Sequence, residues 1–308
     1  MSAGKRITRR AFVARAVPGA AGLQVAVAAS APKQPKRYRG ASAQTYVWSQ
    51  VLQQQGKSLS ENLDSVFAAT RSAGFDAVET MVQFVQTADS AARLADLLGK
   101  YQLRLSGIYG GGLMHETEAG KRTVARLAGL AERIKRLGCD VLVFNPNPIR
   151  SREKTQGELE TQAALLNKLG RTLGESSIAL NVHCHAPEMR SDAREFRSNL
   201  DRTDPSLVWL NADVHWIYRG GNDPYELLDR YADRIGSCHL RNSVDGVWSE
   251  ALGDGDVDYR RIVKIFATIK TPMWLTVELA YEKRTKQTRP LAENLARSRR
   301  YIREVFGV

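Results

Sequence analysis

From residue 41 onward, short β-branched or apolar runs alternate with longer stretches in which apolar residues recur every three or four positions. The short runs, at 43–47, 77–81, 104–109, 141–145, 179–183, 208–212, 235–240 and 274–279, have strand length and composition. The longer ones predict helices over 61–73, 91–100, 118–137, 158–173, 192–200, 224–231, 259–267 and 291–305. Ser60 is placed to cap the first of these, and Gly74, Gly138 and Gly174 stop three of them. Eight strands, each followed by a helix, predict an α/β fold: a (β/α)8 TIM barrel forming one domain over 41–308. A doubly wound sheet is the runner-up. No GxGxxG or GxxxxGK[ST] loop opens any of the helices, which counts against its nucleotide-binding version.

The first 31 residues do not fit this rhythm. A basic start precedes a weakly apolar stretch broken by Pro18, Gly19 and Gly22, too interrupted for a stable membrane span. Thr8-Arg9-Arg10-Ala11-Phe12-Val13 resembles the twin-arginine export consensus, and Ala26-Val27-Ala28 offers small residues for signal cleavage. The expectation is a signal segment at 1–31 read by the twin-arginine export machinery, a basic linker at 32–40, and a periplasmic or otherwise exported mature chain.

Composition changes this picture little. The 308 residues are 43% hydrophobic and 25% charged, enough for a sizeable core and unlike a disordered chain. The formal net charge of +12 suggests a polyanion partner at first, but Lys5, Arg6, Arg9, Arg10 and Arg15 lie in the signal. Arg297, Arg299, Arg300 and Arg303 belong to the last helix, and no basic cluster is interleaved with aromatics as a stacking platform needs. No nucleic-acid partner is expected. Cys139, Cys184 and Cys238 are odd in number and lack CxxC spacing, so neither a disulfide framework nor a structural zinc site is indicated.

In a barrel of this kind chemistry gathers where the strands end. Four of the five histidines lie at predicted strand ends: His183 and His185 after strand five, His215 after strand six, and His239 in strand seven. Asp213, Glu278 and, in strand two, Glu79 are placed similarly. Strand periodicity turns His183 and His185 toward the axis and Cys184 away from it. Imidazoles and carboxylates converging from neighbouring strands suit Mn²⁺, Zn²⁺, Co²⁺ or Fe²⁺ better than Ca²⁺, with Mg²⁺ also admitted. His115, in a glycine-rich loop, is a further candidate to face a substrate. Trp48, Trp216 and Trp248 are candidates to stack on a sugar ring.

Gly74-Phe75-Asp76-Ala77-Val78-Glu79 is similar to the strand-two signature of the sugar phosphate isomerase/epimerase group of xylose-isomerase-like barrels. Asn181-Val182-His183-Cys184-His185-Ala186-Pro187-Glu188 resembles the subgroup pattern Y-H-N-H-x-x-E, and Asp213 to Trp216 with Gly221 to Pro224 resembles its D-x-x-W…G-x-D-P stretch. His239-Leu240-Arg241-Asn242, the loop Gly253 to Asp258 and Val277-Glu278 match H-L-K-D, G-x-G-x-x-D and the strand-eight Glu. The resemblance covers residues 41–308 and implies a metal held by a strand-five residue, Asp213, His239 and Glu278. For strand five His183, His185 and Glu188 are the alternatives. Arg241 and Asn242 replace the usual Lys and Asp, which bears on the substrate more than on the metal.

A cation chelating two vicinal oxygens of a hydroxy-ketone stabilises an enediolate, and a nearby carboxylate or imidazole moves the proton. Glu278 is the expected ligand at the reacting carbon, with His183 or Glu188 as proton-transfer partner. Glu79, His215, Trp216, Arg241 and Trp248 are expected to contact the carbohydrate. The expected activity is that of an isomerase or epimerase on an unphosphorylated sugar or keto-sugar. A lyase or dehydratase on a keto-glycoside or inosose would use the same site. An AP endonuclease-like phosphodiesterase and a non-catalytic sugar-binding protein are the weaker rivals. The sequence leaves room for a homo-oligomer.

Overall fold

The structure, a computed structural model, describes residues 37–308. The segment 1–31 expected as an export signal and residues 32–36 of the expected linker lie outside the described residues. Eight parallel strands close into a barrel: β1 (Tyr38–Gln44), β2 (Ala77–Met81), β3 (Arg104–Gly112), β4 (Val141–Pro146), β5 (Ala179–Val182), β6 (Val208–Asp213), β7 (Ile235–Leu240) and β8 (Met273–Val277). Each pairs with its sequence neighbours, and β1 joins β8 through Ala41↔Leu275 and Ala43↔Val277 to close the ring. Around it run α1 (Tyr46–Gln54), α2 (Leu63–Ser72), α3 (Ala88–Tyr101), α4 (Thr117–Ala128), α5 (Ala131–Arg136), α6 (Gln156–Glu175), α7 (Arg190–Asp201), α8 (Val214–Arg219), α9 (Pro224–Arg230), α10 (Tyr259–Phe266) and α11 (Leu291–Phe306). A short hairpin, Ser243–Val244 with Val247–Trp248, follows β7. Among the described residues no helix is long and apolar enough to cross a membrane.

Strands β2 and β7 have the bounds that the pattern predicts, and three differences matter. The first strand runs from Tyr38, inside the segment expected as linker, and ends at Gln44. Val47 is β-branched but belongs to α1, where it and Leu52 are the buried positions. The helix expected over 118–137 breaks at Gly129–Leu130, where glycine removes the helical preference. At the start of α7 the chain passes through a left-handed turn, with φ of 48°, 57° and 56° at Ser191, Asp192 and Ala193.

The apolar core lies between the outer face of the barrel and the helices, with Ala212, Cys238, Leu275 and Val277 pointing into it from alternate strand positions. All three cysteines are buried and free. The inner face is polar: Ser42, Asn181, Asn211, Ser237 and Thr276 are buried there. Asn181 Nδ2 and Asn211 Nδ2 both donate to Ser237 Oγ at 2.8 Å. The chain thus inverts the usual barrel filling of bulky branched residues.

Candidate active site

Asp213 is both the last residue of β6 and the N-cap of α8. Its Oδ1 accepts from Trp216 N at 2.7 Å, which turns Oδ2 toward the barrel axis. His239 arrives from β7, Glu278 follows β8 and His183 follows β5. One ligand atom from each of His183, Asp213, His239 and Glu278 lies within 4.8 Å of all the others, and all four residues are buried.

Hydrogen bonds behind the two imidazoles fix their lone pairs. Glu79 Oε1 lies 2.8 Å from His239 Nε2, so Nε2 carries the proton, and Nδ1 faces Asp213 Oδ2 at 3.9 Å and Glu278 Oε2 at 3.6 Å. Asn211 Oδ1, whose amide nitrogen is already donating to Ser237, lies 3.0 Å from His183 Nδ1 and leaves Nε2 as the acceptor. His239 Nδ1 and Glu278 Oε2 are buried without a hydrogen-bond partner among the described residues. Two such orphans facing each other inside one donor set are what a cation would satisfy.

Charge supports the same fit. Asp213, Glu278 and Glu79 bring three buried carboxylates, against which Arg241, 3% exposed, is the one guanidinium in contact among the described residues. The shortfall of two positive charges is that of a divalent ion, and a set of two nitrogens and two oxygens suits Mn²⁺, Fe²⁺, Co²⁺ or Zn²⁺. Without it, burial opposes a charge on His239, but Glu79, Glu278 and Asp213 outweigh burial and lift it to about 9. Burial raises Asp213, and the Arg241 charge partly offsets this.

Above the donor set opens a cavity of about 320 Å³, lined by Gln44, Tyr46, Met81, Tyr109, His185, Trp216, Arg241, Trp248, Glu278 and Ala280. It is at the small end of the range for small-molecule sites. Arg241 Nη2 is 3.1 Å from Asp213 Oδ2 and 2.9 Å from Glu278 Oε2. The second approach is an ion pair off the hydrogen-bond direction. The guanidinium carbon stands 4.9 Å from the Trp216 ring and 4.7 Å from the Trp248 ring, so parts of both indoles face the arginine.

Of the residues expected to touch substrate, Trp216, Trp248 and Arg241 line this cavity, and Glu79 and His215 do not. Glu79 sits one layer deeper, because β2 continues two residues past it to Met81, which takes the lining position. It borders a separate cavity of about 160 Å³ at the other end of the barrel, with Arg39, Asp140, Trp209 and Trp274. His215 turns away because helical geometry starts at Val214. It is fully buried with Nε2 2.8 Å from Ser243 Oγ, and burial, with Arg241 and Arg219 nearby, lowers it to about 3.

At strand five His183 joins the donor set, while His185 lines the cavity with its Nε2 3.3 Å from His183 Nε2. Burial lowers His185 to about 4. Glu188 is fully buried behind it, accepting from His185 N at 3.0 Å and Asn145 Nδ2 at 3.2 Å, and burial raises its carboxyl to about 7. Neither His183 nor Glu188 is among the lining residues. Trp48 packs against the core and Tyr46 takes the wall position. Gln44, Tyr46, Met81, Tyr109 and Ala280 were not foreseen. For Gln44 the signal was present, since it ends β1 once the end of the strand is placed three residues earlier.

The chain is 29% identical over 184 residues to the inosose dehydratase of Clostridium tetani (strain Massachusetts / E88), covering 54% of this chain and 59% of that protein. It is 28% identical over 192 residues to the inosose dehydratase of Geobacillus kaustophilus (strain HTA426), covering 58% and 61%. The matches thus span about three fifths of these relatives. An L-ribulose 3-epimerase structure superposes with a TM-score of 0.71 at 18% identity, over 87% of this chain and 94% of that one. A sugar phosphate isomerase/epimerase from Parabacteroides distasonis ATCC 8503 does so with 0.67 at 19%, over 85% and 92%. At these identities the superpositions speak for the fold. Residues 67–305 match the model of the xylose isomerase-like TIM barrel, and the chain belongs to that family.

Proposed function

We propose that this protein is a metal-dependent isomerase or epimerase that acts on an unphosphorylated sugar or keto-sugar through an enediolate. The observation that carries the reading is the buried group of His183, Asp213, His239 and Glu278 opening on an aromatic-walled cavity. These four would hold the ion. When bound, a divalent cation supplies Lewis-acid polarisation of two vicinal substrate oxygens and so acidifies the C–H between them. Glu278, the one member of the four that lines the cavity among the described residues, offers its carboxylate to accept the proton. The His185 ring, which enters the cavity from the β5 side, is the second group able to handle a proton there. Tyr46, Tyr109, Trp216 and Trp248 exclude water and present apolar faces to the carbon skeleton.

Return of the proton to the opposite face gives an epimer, and return to the neighbouring carbon gives the aldose or ketose partner. A second reading, loss of a β-hydroxyl or glycosidic oxygen, uses the same residues, and the resemblance to inosose dehydratases favours it. Charge favours a substrate without phosphate. Arg241 is the one basic side chain among the described lining residues other than His185, and its Nη2 is committed to Asp213 and Glu278. The resemblance of residues 8–13 to an export consensus supports the same choice, since an exported chain would not meet cytoplasmic sugar phosphates.

The test is a panel of unphosphorylated keto-sugars, inososes and 3-keto-glycosides incubated in deuterated water. Exchange of the C–H beside the carbonyl is expected with about one divalent ion bound per chain. Glu278→Gln and Asp213→Asn should abolish it while the fold is kept. Turnover of phosphorylated sugars alone, or exchange by metal-free protein, would overturn the assignment.

A further inference from the structure

We propose that Arg241 is a built-in second cation of the donor group, which shares the carboxylate oxygens that a divalent ion takes and thereby sets how tightly that ion is held. The proposal rests on the metal reading of His183, Asp213, His239 and Glu278. Its ground is geometric: one nitrogen, Nη2, contacts both Asp213 Oδ2 and Glu278 Oε2, at 3.1 and 2.9 Å. These are the same two oxygens that face His239 Nδ1. The guanidinium is not free to leave for solvent. It is 3% exposed, packs against both indoles of the Trp216–Trp248 edge-to-face pair, and its Nε is buried without a partner among the described residues.

Two cations drawing on one pair of carboxylates within a few ångström repel each other and divide the same attraction. Arginine keeps its charge across the accessible pH range, so the competition is permanent. In the metal-free chain the guanidinium serves as counter-charge for Asp213 and Glu278, and the ion must share that role when it enters. An enzyme built this way holds its metal less tightly than the four donors alone would allow, and the metal stays exchangeable.

The experiment is Mn²⁺ binding at fixed pH and ionic strength by competition with a chromophoric chelator, on wild type, Arg241→Gln, Arg241→Met and Arg241→Lys. The neutral variants should bind Mn²⁺ at least tenfold more tightly than wild type, and Arg241→Lys, which keeps the charge, should stay within about threefold of it. Arg241→Met keeps an aliphatic stem against the indoles and guards against a packing artefact. A neutral variant that folds only when Mn²⁺ is supplied supports the proposal, because the ion then replaces the lost charge. Wild-type affinity or weaker in folded neutral variants overturns it while leaving the metal reading intact, and so does failure of both neutral variants to fold at saturating Mn²⁺. Wild type that binds no divalent ion removes the metal reading and the proposal together.

Discussion

The proton on His239 is where geometry becomes measurable. Glu79 holds the Nε2 proton permanently, whereas the Nδ1 proton of the metal-free state persists to about pH 9. Nδ1 must lose that proton before it can act as a ligand. Ion uptake should therefore release about one proton, and the apparent affinity should fall about tenfold for each pH unit below about 9. Calorimetric titration in two buffers of different ionisation enthalpy counts the proton. Glu79→Gln keeps an acceptor for Nε2 but removes the charge, so the onset should move to lower pH; an unchanged profile would contradict the role given to Glu79. Asp213, His239 and Glu278 were legible in the sequence because each is a metal-ligating side chain at or beside the last residue of a strand. The depth of Glu79 was not legible, because alternation tells inward from outward and says nothing about the layer along the barrel axis.

At the scale of elements, the sequence is legible where one periodicity persists and fails where one hands over to another. Residues 213–216 change from strand to helix within a single residue, which sends His215 into the core and Trp216 to the cavity. Residues 44–47 do the same at the first strand. The left-handed turn at Ser191 to Ala193 carries no glycine and left no signal, although each non-glycine residue there costs about 1–2 kcal/mol. Ser191→Gly should therefore stabilise the protein by about 0.5–1 kcal/mol, after loss of the exposed bond from Ser191 Oγ to Glu153 Oε1. Thermal unfolding should show a rise of about 2 °C, and a fall would mean that the turn is not strained.

The whole molecule was the most legible scale, because eight repeats of strand and helix average out errors of a few residues at each boundary. Compartment is a property of the full chain and stays an expectation from residues 1–31. Replacing Arg9 and Arg10 by Lys should retain the precursor in the cytoplasm, as cell fractionation would show; normal accumulation outside would argue against the twin-arginine route.

The polar inner face of the barrel also shapes how stability responds to temperature. Unfolding an ordinary barrel wets methyl groups from both faces of every strand. Here the inward side releases amides and hydroxyls, such as those of Asn181, Asn211, Ser237 and Thr276, and the carboxylates of Glu79 and Asp213. Wetting apolar surface raises the heat capacity and wetting polar surface lowers it. The heat capacity of unfolding is therefore smaller than for a methyl-filled barrel of equal length, and the curve of stability against temperature is flatter. A barrel built around its chemistry in this way gives up some depth of stability at its optimum and keeps more of it away from that optimum.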